Sequence, residues 1–137
     1  MYNFGLGHSN RTETFLFNPG VKGNTGIRGA QSTSFDKEKV VPVEVVIKNA
    51  SNEILKIIDT HSSQDIIVKM DCEGGEYEIM KNLNETGVLK KIKALAIEWH
   101  DLGSVALLAC LKEHGFTCFY PNLARNSGMI YAVNTTI

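Results

Sequence analysis

The chemistry this sequence offers sits at the ends of two aliphatic runs. Residues 65–80 read DIIVKMDCEGGEYEIM and pass from Ile and Val into Asp71, Glu73 and Glu76, set around Gly74 and Gly75. Residues 94–101 read ALAIEWHD and close on Glu98, His100 and Asp101. Clustered carboxylates raise one another's pKa, which leaves one of them poised as a general base. An imidazole beside them exchanges protons near neutral pH. The same oxygens and ring nitrogen also suit a divalent metal such as Mg²⁺ or Mn²⁺. A plainer use competes with these. Glu73 and Glu76 fall at the start of a helix, where the dipole stabilises an acid by about 0.3–1 kcal/mol. Gly74 and Gly75 then serve only the tight strand-to-helix turn. Spacing alone leaves both uses open.

The elements that must position these groups follow from periodicity. The chain divides near residue 50. Before it, TETFLFN and VVPVEVVIKN have the β-branched and aromatic content of short strands. Between them PGVKGNTGIRGAQSTSFDKEK reads as a loop of about twenty residues. After residue 50, helix and strand alternate. SNEILKIIDTH sets Ile54, Leu55 and Ile58 on one helical face behind a Ser51 cap. DIIVKMD is a strand, and the helix that follows turns Tyr77, Ile79, Met80 and Leu83 inward and stops near Gly87. IKALAIEW is a strand, and LGSVALLACLKEHG is a helix stopped by Gly115. FTCFYPN and SGMIYAVN close the chain as an antiparallel hairpin. Strand–helix–strand order implies parallel pairing, so the class is α/β with a mainly parallel sheet. In such a sheet ligands gather at the carboxyl ends of the strands. Alternation puts Glu98 and His100 on the same side of theirs.

Bulk properties exclude several alternatives. With 137 residues the chain makes one domain, 1–137, of which 1–50 is a strand-and-loop extension and 51–137 the α/β core. The net charge of −1 offers no basic surface, so no nucleic-acid partner is expected. The longest apolar runs are too short to span a bilayer, so no membrane partner is expected either. The opening MYNFGLGHSNR lacks the pattern of a signal peptide, and Cys72, Cys110 and Cys118 form no C-x-x-C pair. A cytoplasmic chain with reduced thiols follows. Trp99 reads as core, and His8, His61 and His114 as surface residues.

The residues IIVKMDCEGGEYEIMKNL resemble the signature of the FkbM family of S-adenosylmethionine-dependent methyltransferases, K-x-D-x-E-G-x-E followed by an apolar helix. Lys69, Asp71, Glu73, Gly74 and Glu76 match it. ALAIEWHD is similar to the family's next strand, LLACLKEHGFTCF to its helix-to-strand junction, and NFGLGHSNRTETFLFNPG and VPVEVV to upstream segments. The resemblance implies a Rossmann-like class I methyltransferase sheet, ordered 3-2-1-4-5-7-6, with 65–71 as strand four, 93–99 as strand five and the hairpin as strands six and seven. It implies S-adenosylmethionine as cofactor and O-methyl transfer to a sugar or other small hydroxyl compound. Asp71 would face the donor methyl and the acceptor, in both catalytic and cofactor-binding roles. Glu73, Glu98 and His100 would act as catalytic helpers on the acceptor side or around a divalent metal. The family's glycine-rich D-x-G-A-N-x-G loop has no counterpart here, so the chain is expected to correspond to an N-terminally truncated, C-terminal part of such an enzyme. Strand 65–70 would then lack its usual neighbour and invite a homo-oligomer through that edge. Two other readings stand beside this one. One is a non-catalytic remnant or interaction module. The other is a metal-dependent hydrolase built on Asp71, Glu98 and His100.

Overall fold

A computed structural model describes residues 2–19 and 39–137. In chain order the elements are β1 (Gly5–Gly7), β2 (Arg11–Phe17), β3 (Val41–Asn49), α1 (Ala50–Thr60), β4 (Ile67–Asp71), α2 (Glu76–Glu85), a 3₁₀ turn (Val88–Lys91), β5 (Ala94–His100), α3 (Val105–Glu113), β6 (Phe116–Phe119), β7 (Asn122–Ala124) and β8 (Ser127–Asn134). Most of the expected loop before β3, residues 20–38, lies outside the described residues. The helix stops fall at the two glycines named for them, with Gly87 at φ 72° and Gly115 at φ 80°, a left-handed backbone that glycine adopts without a Cβ penalty. The cap of α1 differs from expectation. Asn49 caps it, its side chain accepting from the Asn52 N–H at 3.0 Å. The helix therefore begins earlier, and Ser51 falls inside its first turn. There Ser51 is buried, its N–H donating to Asn82 Oδ1 of α2 at 2.8 Å.

Among the described residues two mixed sheets form. β1, β3 and β2 lie in that order, β1 parallel and β2 antiparallel to β3. The larger sheet runs β4-β5-β8-β6, with β7 pairing on β8. Each sheet holds one parallel pair, β1–β3 and β4–β5, so the expected mainly parallel sheet is corrected to a mixed one. The reason is the return of the last strand. β8 inserts antiparallel between β5 and β6, which leaves β4, β5 and β6 running in one direction without β5 and β6 touching. The expected closing hairpin is present, and β7 extends it.

Register fixes which side chains share a face. Met70, Ile97 and Ile130 line up across β4, β5 and β8, as do Leu95 with Ala132 and Trp99 with Gly128. These are buried against Ile54 of α1, Met80 and Leu83 of α2, and Leu108 and Leu111 of α3. Trp99 is core, as its sequence context implied. Gly128 is required opposite it, because a Cβ there would lie 2.8 Å from the indole and 2.9 Å from the Pro121 carbonyl oxygen. The other face of the larger sheet carries Ile67, Phe119, Tyr131 and Val133, all exposed, with Phe119 stacked on Tyr131.

Helix α2 ties the two sheets together. Arg11 of β2 donates to both oxygens of Glu78, and the His8 N–H donates to Glu78 Oε2 at 3.1 Å. Burial would raise the Glu78 carboxyl, but the hydrogen bonds from Arg11 and His8 outweigh it and hold the group below the ordinary carboxylate range. Further along α2, His8 meets Glu85 and His114 meets Asn84, so two of the histidines read as surface residues are held by side chains of this helix. His61 is exposed.

Candidate functional site

The rim begins where β4 and β5 end. Their parallel register sets Asp71 directly beside Glu98, and His100 follows two residues on with its side chain on the same face. Past Asp71 the chain turns at once. Glu73 adopts φ 45° and Gly74 φ 101°, and Gly75 leads into α2. This brings Glu76 under the end of β5.

Glu76 is fully buried, and three donors converge on it. Its Oε1 accepts from the His100 N–H at 2.8 Å and lies 3.1 Å from His100 Nδ1, while Oε2 accepts from the Gly74 N–H at 2.9 Å. An ionised carboxylate can only accept, so Nδ1 is the atom that donates to Glu76 and Nε2 is the ring atom turned to the rim. Nε2 lies 3.9 Å from Glu73 Oε2 and 3.8 Å from Glu98 Oε1, within ion-pair range but too far for hydrogen bonds. The His100 carbonyl is fixed as well, accepting from the Tyr77 hydroxyl at 2.6 Å and the Leu102 N–H at 2.6 Å. The Tyr77 hydroxyl also reaches the Gly103 carbonyl at 3.1 Å, which anchors the loop beyond β5. Asp101, at φ 55°, is the other non-glycine residue with a positive φ among the described residues, so strained backbone borders the imidazole on both sides.

All four residues expected to form the site are therefore neighbours. Asp71, Glu73 and His100 each offer one ligand atom within 4.8 Å of the others, a set that could hold a divalent cation. Glu98 stands beside them without joining that set. Lys69 lies 3.3 Å from Asp71 Oδ2 and balances part of the acidic charge. Burial raises the Glu73 carboxyl, the neighbouring His100 opposes this, and Asp71, Glu98 and Glu76 add to the rise. Burial likewise pushes the Cys72 thiol up, so this cysteine, though beside the rim, is not primed as a nucleophile.

Sequence reasoning left Glu76 between a cluster acid and a helix-start acid, and read Tyr77 as core. Both have larger duties, since one orients the imidazole and the other pins its main chain. The signal available was an acid in the first turn of a helix that follows a strand neighbouring E-x-H. Nothing in that spacing announced full burial.

The strain at Glu73 yields a prediction. An L-residue in the left-handed region costs about 1–2 kcal/mol, and glycine's extra unfolded-state entropy returns about 0.5–1 of it. Glu73→Gly is thus expected to stabilise the fold by about 0.5–1 kcal/mol through the backbone alone. An acid whose folded pKa is raised weakens the fold as pH climbs from the unfolded pKa through the folded one. The gain should therefore be larger near neutrality than in mild acid, as urea titrations at the two pH values would record. A loss of stability at both would show that Glu73 holds the turn rather than straining it.

Comparison with protein-family models, curated proteins and solved structures finds no match for this chain.

Proposed function

We propose that the rim of Asp71, Glu73, Glu98 and His100 is the acceptor side of an S-adenosylmethionine-dependent methyltransferase site, acting on a small hydroxyl compound of the sugar class. The observation that carries this reading is the His100 imidazole, locked by buried Glu76 with Nε2 facing the Glu73 and Glu98 carboxylates. A base held in that way can take the acceptor's hydroxyl proton, and Glu76 then balances the charge that appears on the ring. Asp71, at the strand end and exposed, would orient the acceptor. The order β4-β5-β8-β6, with β8 antiparallel, agrees with the 4-5-7-6 half of the Rossmann-like methyltransferase order, which supports the same reading.

When bound, S-adenosylmethionine supplies a methyl group activated by a positively charged sulfonium. An acidic rim suits that charge. It does not suit the cofactor's carboxylate, and the Gly74 N–H at the β4–α2 turn is already engaged by Glu76. Asp71 and Glu73 are thus the residues that would face the sulfonium end, and the carboxylate end calls for other donors. The β4 edge, paired only with β5 among the described residues, favours self-association alongside this chemistry. A second reading has its own observation. The convergent atoms of Asp71, Glu73 and His100 favour a bound Mg²⁺ or Mn²⁺, serving either methyl transfer or a hydrolase.

Isothermal titration of the purified chain with S-adenosylmethionine, and separately with Mn²⁺, tests these readings. Micromolar donor binding is expected, weakened at least tenfold in Asp71→Ala and retained in His100→Ala. Transfer to a panel of small sugars should then fall by about 10²–10⁴-fold in His100→Ala. Mn²⁺ binding that requires Asp71, Glu73 and His100, with no heat from the donor, would select the hydrolase. Silence from both would leave an interaction module without this chemistry.

A further inference from the structure

Among the described residues, strand β4 ends the larger sheet and pairs only with β5. A cleft of about 390 Å³ runs along its other side, lined by Leu6, Ile54, Ile57 and Val68. The carbonyl of Ile66 accepts from Lys93 and Ala94 at the start of β5. A strand's N–H and C=O groups alternate sides residue by residue, so Ile66, Val68 and Met70 address β5. Ile67 and Lys69 therefore turn their main-chain groups toward the open edge, and alternation carries Asp65 the same way. The side chain of Ile67 is 71% exposed, unusual for an isoleucine in a sheet.

We propose that this edge binds a second copy of the same chain, β4 against β4 antiparallel, with Ile67 on the two-fold axis. The register follows from two conditions. A continuous sheet with its axis normal to the sheet must place odd residues opposite odd ones, or the faces would not match. Only main-chain groups that point outward can then bond, and these belong to the odd residues. Of the registers that remain, centring on Ile67 sets Asp65 opposite Lys69 of the partner at both ends. Centring one residue further, on Val68, would set Asp65 against Asp71, and centring on Lys69 would set two ammonium groups face to face. Centring on Met70 would set Lys69 against Asp71 but pair only the last residues of β4, and centring on Ile66 would leave Asp65 opposite an isoleucine, so charge and strand length together favour the Ile67 register. In it the Ile67 pair and both Asp65–Lys69 pairs exchange N–H···O=C bonds across the axis. Opposite charges placed directly across strands stabilise the pairing and like charges oppose it. This inference stands apart from methyl transfer and holds whether or not the rim is catalytic.

Sedimentation velocity of the full chain tests it. A species of twice the 15.1 kDa monomer mass is expected at micromolar concentration. Asp65→Lys alone and Lys69→Asp alone should each weaken dimerisation at least tenfold, since each sets like charges opposite one another. Mixed together, the two variants should form a heterodimer, because both cross-strand pairs become complementary again. Ile67→Pro should give a folded monomer, because the N–H it removes faces the open edge and not β5. Circular dichroism confirms that each variant folds. A chain that stays monomeric at high micromolar concentration overturns the proposal. A dimer indifferent to both charge reversals and to Ile67→Pro overturns it equally, by locating the interface elsewhere.

Discussion

Replacing Glu76 by alanine is expected to destabilise the protein by about 3–5 kcal/mol, the range seen when one partner of a buried charged cluster is removed. Two main-chain N–H groups and the His100 ring lose their acceptor at once, in a place where Glu76 itself is fully buried. Each hydrogen bond to a charged group is worth about 1.5–3 kcal/mol, and an orphaned buried donor keeps its desolvation penalty. Glu76→Gln is not a mild substitute. Its amide keeps one acceptor oxygen but turns an NH₂ toward either Gly74 or His100, both donors, so a loss of about 1–3 kcal/mol is expected. Urea unfolding followed by circular dichroism measures both. A loss below about 1 kcal/mol for the alanine variant would mean that water fills the site and satisfies all three donors. The alanine variant also separates stability from chemistry, since it frees the imidazole to rotate even in molecules that remain folded, whereas glutamine does so only where its NH₂ faces His100.

The second large effect lies in the sheet. Ile97 is fully buried at the middle of β5, with Met70 and Ile130 beside it in the ladder. Ile97→Ala should cost about 2–5 kcal/mol, a transfer term plus a cavity that the flanking strands hold open. Ile97→Val, which removes one methylene, should cost about 0.5–1.5 kcal/mol. Val133→Ala supplies the contrast. Val133 belongs to the opposite face of β8 and is 49% exposed, so its truncation should stay within about 0.5 kcal/mol. Comparable losses at Ile97 and Val133 would show that the face carrying Phe119, Tyr131 and Val133 is covered in solution.

Much of this architecture was legible in the sequence, for identifiable reasons. The apolar period of 54–58 and 77–83 fixes two helical faces, and Gly87 and Gly115 stop helices because each adopts a left-handed backbone. The meeting of Asp71, Glu73, Glu98 and His100 was legible because strand ends in a parallel pair share a rim. The mixed character of the sheets was not legible from periodicity. Alternation within a strand does not encode whether β8 inserts between β5 and β6, although the strand order implied by the family resemblance places its seventh strand between the fifth and sixth. The cap of α1 was misplaced because Asn49 and Ser51 are both good capping residues, and burial of Ser51 against Asn82 decided between them. Glu76 was the deepest omission. A helix-start acid looks the same in sequence whether it meets solvent or an imidazole.

Helix α2 spans only ten residues, yet its side chains reach nearly every part of the described fold. Glu76 and Tyr77 hold the end of β5, Glu78 holds β2, Asn82 holds the start of α1, and Asn84 holds His114 beyond α3. Among the described residues the two sheets share no strand, so this helix joins by hydrogen bonds what the ladders leave separate. Amide exchange is where that should be visible. The slow amides of β3 and those of β5 should open with the same free energy, as one cooperative unit instead of two. Acid should break the coincidence. Below the ordinary carboxylate range Glu78 takes up a proton and releases Arg11, and the β1–β3–β2 sheet should then exchange first while the larger sheet keeps its protection.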